Sequence, residues 1–253
     1  MNKERNEMDK GFEISINFLL YSYFKITLES ESDTIIEKAI DKAYFDATNR
    51  AAFNALEKTN FNSDDLKSKG TTIIKEGINK IIEQPLNFDK IHNDMCVNLI
   101  KKYENVKIKN KDETAFSYGN AQKWVNMTMK YLYVIGNVSL NSEANNDFIT
   151  NYAEKINEFS NKIHIPVDSY IIEAIWKGYN IEKFDKNNLP EIKTLKDGSF
   201  GTYSSEKVRP WSKWDNAEEY TNFQKSLRKA VKESPIEWEG SAWIEIAQKR
   251  NKQ

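Results

Sequence analysis

The chain holds one cysteine, two histidines, five prolines and nine glycines in 253 residues. A single cysteine rules out an internal disulfide and a cysteine-built zinc site, and two histidines leave little neutral-pH ligand capacity. Glycine and proline together reach about half their usual share. That scarcity disfavours turn-rich sandwiches, barrels and glycine-rich nucleotide folds, and makes helices the default. No charge of one sign dominates: 37 basic residues face 38 acidic ones, for a net charge of −1, which is less basic than a dedicated nucleic-acid binder usually is. Long hydrophobic runs are missing too. The segment Phe12 to Leu28 contains Glu13 and Lys25, and its uncharged part is too short to span a bilayer. The residues before it mix Lys3, Arg5 and Lys10 with Glu4, Glu7 and Asp9, unlike the basic head of a signal peptide. The expectation is a soluble, cytoplasmic protein with no membrane partner. No phosphate loop, dinucleotide fingerprint or serine-nucleophile elbow is present, and neither metal nor cofactor is expected.

What the chain does contain is core-building material, with 13 Phe, 12 Tyr and 6 Trp, enough to exclude a disordered polymer. Apolar residues recur at helical spacing along most of its length. Ser32 or Asp33 can cap a helix to about Leu56 with Ile36, Ile40, Ala43 and Ala47 on one face. Helices are also expected over 71–83, from Asp89, over 118–135, 146–163, 168–177 and 216–232, and after Gly240. Tyr220, Phe223, Leu227 and Val231 form the stripe of the penultimate one. The least regular stretch, 180–214, reads as a loop or hairpin layer. The expected architecture is one mostly α-helical, multi-helix domain over 1–253, with room for two lobes around a cleft. Any sheet would be confined to the N-terminal region or the 180–214 layer.

The most informative segment is His164-Ile165-Pro166-Val167-Asp168-Ser169-Tyr170-Ile171-Ile172. Proline biases the residue before it to extended geometry, and Asp168 falls where a helix N-cap would sit, with Ile171, Ile172 and Ile175 anchoring the helix behind it. Such a carboxylate can face a cleft while its helix stays packed, or it can be a plain cap. Upstream, Lys123 and Lys130 are seven apart and share a helix face with Asn126 and Met127. Trp124, Thr128, Tyr131, Leu132 and Ile135 form the packing side.

The turn Ile165-Pro166-Val167-Asp168 with its aliphatic helix resembles the catalytic-aspartate segment of helix-hairpin-helix DNA glycosylases, especially the branch acting on oxidised guanine. Tyr118-Gly119-Asn120-Ala121-Gln122-Lys123 is similar to the end of that family's hairpin. The resemblance covers roughly 116–177. It implies a helix-hairpin-helix glycosylase-like fold and base excision from DNA, with a nucleotide extruded into the protein. Asp168 would stabilise the sugar cation, and Lys123 or Lys130 would be the amine that captures the sugar carbon. Position relative to the hairpin favours Lys123, and separation from Asp168 favours Lys130. The chain departs from the family pattern in carrying only Gly119 of the hairpin glycines and in the long interval between either lysine and Asp168.

Local charge supplies candidate DNA contacts. Lys107, Lys109 and Lys111 cluster with Lys101 and Lys102, and Arg209 lies beside Trp211 and Trp214. Together with Gly119 these could track phosphate and stack bases, or be solvated faces and core tryptophans. A further basic group, Lys225, Arg228, Lys229 and Lys232, lies on the penultimate helix. Trp238 and Trp243, near Glu237 and Glu239, read as core. His92 and His164 read as structural residues, and Cys96 as an inert buried thiol. The alternatives to an enzyme are a non-catalytic helical module binding nucleic acid or a nucleotide, and a protein-interaction domain.

Overall fold

The computed structural model describes residues 2–48, 63–105, 116–142, 146–181, 214 and 216–252. Among them every regular element is helical and no strand occurs. The order is α1 (Asn2–Phe24), α2 (Ser32–Thr48), α3 (Ser63–Glu83), α4 (Phe88–Lys102), α5 (Tyr118–Leu140), α6 (Glu154–Glu158), α7 (Ser169–Trp176), α8 (Ala217–Ala230) and α9 (Pro235–Arg250). The N-terminal region, where sheet was admissible, is therefore helix. Its segment 11–24 is rich in strand-forming Phe, Tyr and Ile, but Ile16, Leu20 and Phe24 recur every four residues and pack inward together as one helix face. Lys25 stops α1 by adopting a left-handed conformation at φ 62°.

Helix α5 is the axis of the molecule. It packs against α2, α4 and α6, while α3 covers α2 and α4, and α7 lies on α9. The expected stripe Ile36, Ile40, Ala43 and Ala47 of α2 is buried. Close approach is bought with glycine where α3 crosses α4: a Cβ on Gly77 would sit 2.0 Å from the Met95 sulfur. The packing side expected of α5 is also buried (Trp124, Thr128, Tyr131, Leu132 and Ile135), yet so are Asn120, Gln122, Lys123 and Asn126. Its supposed outer face is interior.

Two boundaries differ from expectation for local reasons. The region 146–163 is helical without a break over 147–158, with a π segment (Ile149–Ala153) running into α6, and then tightens to a 3-10 turn (Ser160–Lys162). The π segment lies where Ala153 comes so near α5 that a Cβ on Gly136 would be 3.2 Å from the alanine methyl. The last helix starts five residues before Gly240, at Pro235, because proline at the first helical position has the right φ and no amide to leave unpaired. Most of the 180–214 layer lies outside the described residues, as does 49–62, the end expected for the helix from Ser32.

Candidate active site

Residues 164–167 cross the interior outside any helix, between the extended backbones of Ile163 and Asp168, with His164, Ile165 and Val167 essentially inaccessible. Proline at 166 keeps the segment from coiling, and the chain enters α7 at Asp168, whose backbone is extended at φ −141° and ψ −176°. Its Oδ1 accepts from the amides of Tyr170 (3.0 Å) and Ile171 (3.1 Å). The cap reading is thus correct. It does not exhaust the residue, because Oδ2 accepts from the Lys123 ammonium at 2.9 Å. Cap and ion pair use different oxygens of one carboxylate.

Lys123 and Asp168 lie 45 residues apart in sequence, and their side chains are 10% and 17% exposed. They are shielded yet reachable. Two turns further along α5, Lys130 donates to Glu239 of α9 at 3.0 Å, and that carboxylate is only 2% exposed. The three residues singled out as catalytic therefore belong to one neighbourhood of two amine–carboxylate pairs. Lys123, not Lys130, is the amine in contact with Asp168.

The two carboxylates titrate in opposite directions. Burial would raise Asp168, but the charge and hydrogen bond of Lys123, the Ile171 amide and the charge of Lys130 outweigh it, holding the carboxyl below its ordinary range. Burial raises Glu239 as well. Lys130 opposes that effect only partly, and the negative charge of Asp168 adds to it, so Glu239 sits above its usual value. Paired acids pushed apart by their surroundings are a recurrent mark of functional sites.

Behind the turn lies a neutral hydrogen-bonded core. The Asn126 Nδ2 lies 2.8 Å from the Ile165 carbonyl, 2.7 Å from the Tyr220 hydroxyl and 2.9 Å from Gln122 Oε1, while its Oδ1 is 2.8 Å from His92 Nε2. His164 contacts Tyr220 through Nδ1 at 3.1 Å and Asp89 through Nε2 at 3.0 Å. Asp89 is in turn held by Arg228 at 2.8 and 2.9 Å. A neutral His164 that donates from Nε2 and accepts at Nδ1 satisfies both contacts. Burial, partly offset by the Asp89 hydrogen bond and reinforced by Arg228, brings His164 down to about 4. His92 is lowered further by burial and by His164 beside it.

The expected DNA contacts fare differently. Lys107, Lys109, Lys111, Arg209 and Trp211 lie outside the described residues. Trp214 is 2% exposed and meets Phe223 edge-on with ring centroids 5.6 Å apart, so its ring offers no face for a base, and of the two roles open to it the structure shows the core one. Gly119 is buried, and its amide donates to the Trp214 carbonyl at 2.8 Å, so this N–H is already satisfied. Arg228 binds Asp89 instead of facing outward. Cys96 is buried, and burial raises its thiol far from reactivity.

Sequence reasoning missed Glu239, Gln224 and the Asp89–Arg228 pair. A signal existed for the first two. Glu239 falls on the apolar stripe of Ile236, Ala242 and Ile246, and Gln224 lies beside Phe223 and Leu227; all seven are buried. A polar group on a buried stripe must find a partner. Among the described residues no group of three His, Cys, Asp or Glu could hold a metal, and no helix is long and apolar enough to cross a membrane. Comparison with family models, with curated proteins and with solved structures returned no match.

Proposed function

We propose that the protein is a DNA glycosylase-like base-excision enzyme acting on a damaged or modified base, with a helix-hairpin-helix glycosylase-like arrangement and an associated lyase step. The observation that carries this reading is the shielded Lys123–Asp168 pair at the start of α7, with 2.9 Å between amine and carboxylate. The pair supplies what the chemistry demands. A fixed negative charge favours the cation that develops on the sugar as the glycosidic bond breaks, most strongly where water is excluded. The departing base nitrogen takes the bonding pair and a proton from the Lys123 ammonium. The freed amine attacks the sugar carbon C1′ and forms a C–N bond; the C1′–O4′ bond then breaks, O4′ taking its electron pair and the proton that the nitrogen sheds, and a Schiff base remains. Lys130, held by Glu239, is a charge neighbour and not the nucleophile. Lys107, Lys109, Lys111, Arg209 and Trp211 are the proposed contacts to DNA.

The test is base release and borohydride trapping on oligonucleotides carrying a panel of oxidised, deaminated and alkylated bases. Wild type is expected to release one class of base and to give a reducible covalent adduct. Lys123→Gln should lose the adduct and Lys130→Gln should keep it, while Asp168→Asn should lose base release per folded molecule, at a cost in stability because the shielded Lys123 ammonium loses its carboxylate. Salt-sensitive DNA binding with no base release on the whole panel would replace the enzyme by a non-catalytic reader. Absence of binding at low salt would favour a protein-interaction domain.

A further inference from the structure

Ile165 sits three residues before Asp168 in a buried segment outside any helix, where no helix can satisfy its backbone. Both of its polar groups are instead met by side chains. Its amide donates to Gln224 Oε1 at 3.2 Å, and its carbonyl accepts from Gln224 Nε2 at 3.0 Å and from Asn126 Nδ2 at 2.8 Å. Gln224 thus binds the peptide in two directions from α8, as a neighbouring strand would. Asn126 binds it from α5, less than one turn beyond Lys123. The next residue, Pro166, has no amide and a restricted φ, so a fixed Ile165 peptide passes its orientation on to Asp168.

We propose that Asn126 and Gln224 are positioning residues for the Lys123–Asp168 pair, clamping the Ile165 peptide so that the carboxylate stays within hydrogen-bond reach of the amine. The inference rests on the glycosylase reading for its consequence in turnover, but its geometry stands apart from it. Asn126 joins the clamp to the helix that carries Lys123, and the two ends of the ion pair are thereby referenced to one rigid element. Gln224 closes the other side and also donates to the Tyr220 hydroxyl at 3.2 Å. Tyr220 binds both clamp residues, so the two amides are held by one hydroxyl.

The decisive variant is Gln224→Met, which keeps length and volume and removes both clamp bonds; Gln224→Glu, which keeps an acceptor for the Ile165 amide, is the conservative counterpart. Single-turnover base release by Gln224→Met should fall about 10- to 100-fold, with substrate affinity little changed, since small misplacements of reacting groups cost rates of that order. The acidic limb of its pH profile should move up by about one pH unit, because a carboxylate that loses contact with its ammonium is easier to protonate. Gln224→Glu should recover part of both. A distant core variant of matched stability loss, Ile81→Val, should alter neither quantity per folded molecule. An unchanged rate and pH profile in folded Gln224→Met overturns the clamp. If wild type releases no base, the glycosylase reading fails, and the clamp is then decided by carbon NMR of the Asp168 carboxyl. A titration moved upward in Gln224→Met or, should that variant not fold, in Gln224→Asn, whose amide is one methylene short of the Ile165 backbone, supports it. A titration matching wild type overturns it.

Discussion

Helices α1 and α5 have the same length, 23 residues, and break the usual inside-outside pattern in opposite ways. α1 leaves Phe12, Phe18 and Leu19 at 55, 70 and 61% exposure. α5 buries Asn120, Gln122, Lys123, Asn126, Thr128 and Ser139. The two departures differ in physical weight. Exposed apolar side chains are common on folded proteins and cost little singly. A buried amide or ammonium loses water, and it stays buried only because something replaces that water. On α5 most of the replacements are visible: Asp168 for Lys123, and Ile165, Tyr220, Gln122 and His92 for Asn126. The informative helix is therefore the one whose polar residues are hidden, and its partners outline the candidate site.

Substitutions can break or sharpen that contrast. The largest effect is expected from Lys123→Met, which strands the shielded Asp168 carboxylate and should cost about 3–5 kcal/mol at pH 7 by denaturant unfolding. Adding Asp168→Asn should recover a large part of the loss, since the orphaned charge goes with it. A single-variant cost below about 1 kcal/mol would place the pair in the class of surface salt bridges.

The next effect is a pH dependence. His164 is buried neutral with its pKa lowered to about 4, so the unfolded chain takes up the proton first. Stability from this residue is complete above about pH 6.5 and is lost as pH falls toward 4, by about 3 kcal/mol in all. His92 acts with the same sign. Asp168, lowered instead of raised among the acids, adds a loss below its unfolded value. Urea midpoints from pH 7.5 to 4 should show the fall, and His164→Gln should flatten it over the upper part of that range. A wild-type midpoint constant across the interval would mean that His164 takes up its proton equally in the folded and the unfolded chain.

Smaller again is Gly77→Ala. The added methyl meets the Met95 sulfur at a distance no real contact permits, and overpacking of this kind costs about 1–3 kcal/mol. Thermal unfolding measures it, and a stabilised variant would show that α3 and α4 can separate freely. The smallest change is expected in α1: Phe18→Ser and Leu19→Ser should each alter stability by under about 0.5 kcal/mol. Larger losses would show that this face is covered in solution.

How far the sequence could be read follows the range of the interactions. Caps and stripes are local, so Asp168 as an N-cap, the buried face of α2 and the amphipathic α8 could all be inferred from spacing. The choice of Asp168, with Lys123 and Lys130 as alternative amines, depends on a resemblance around one proline turn; the structure sets the Lys123 amine against Asp168 and the Lys130 amine against Glu239. Partner choice was not legible. Lys130 and Glu239 are 109 residues apart, and nothing near either residue specifies the other. The involvement of Asn126 was hidden for a different reason. Helical periodicity placed it opposite the tryptophan side of α5, which implies solvent only when a helix has one buried face, and α5 is enclosed almost all round.

The clamp on Ile165 also has a meaning for the order in which the molecule is made. Translation delivers α5 and the Pro166 turn well before α8 and α9, and domains tend to fold from the N-terminal side as they emerge. A nascent chain ending before residue 217 already carries Lys123 and Asp168, but lacks the Gln224 that secures the turn and the Glu239 that occupies Lys130. In the order of synthesis the lysine and the proline turn therefore precede the two helices that hold them.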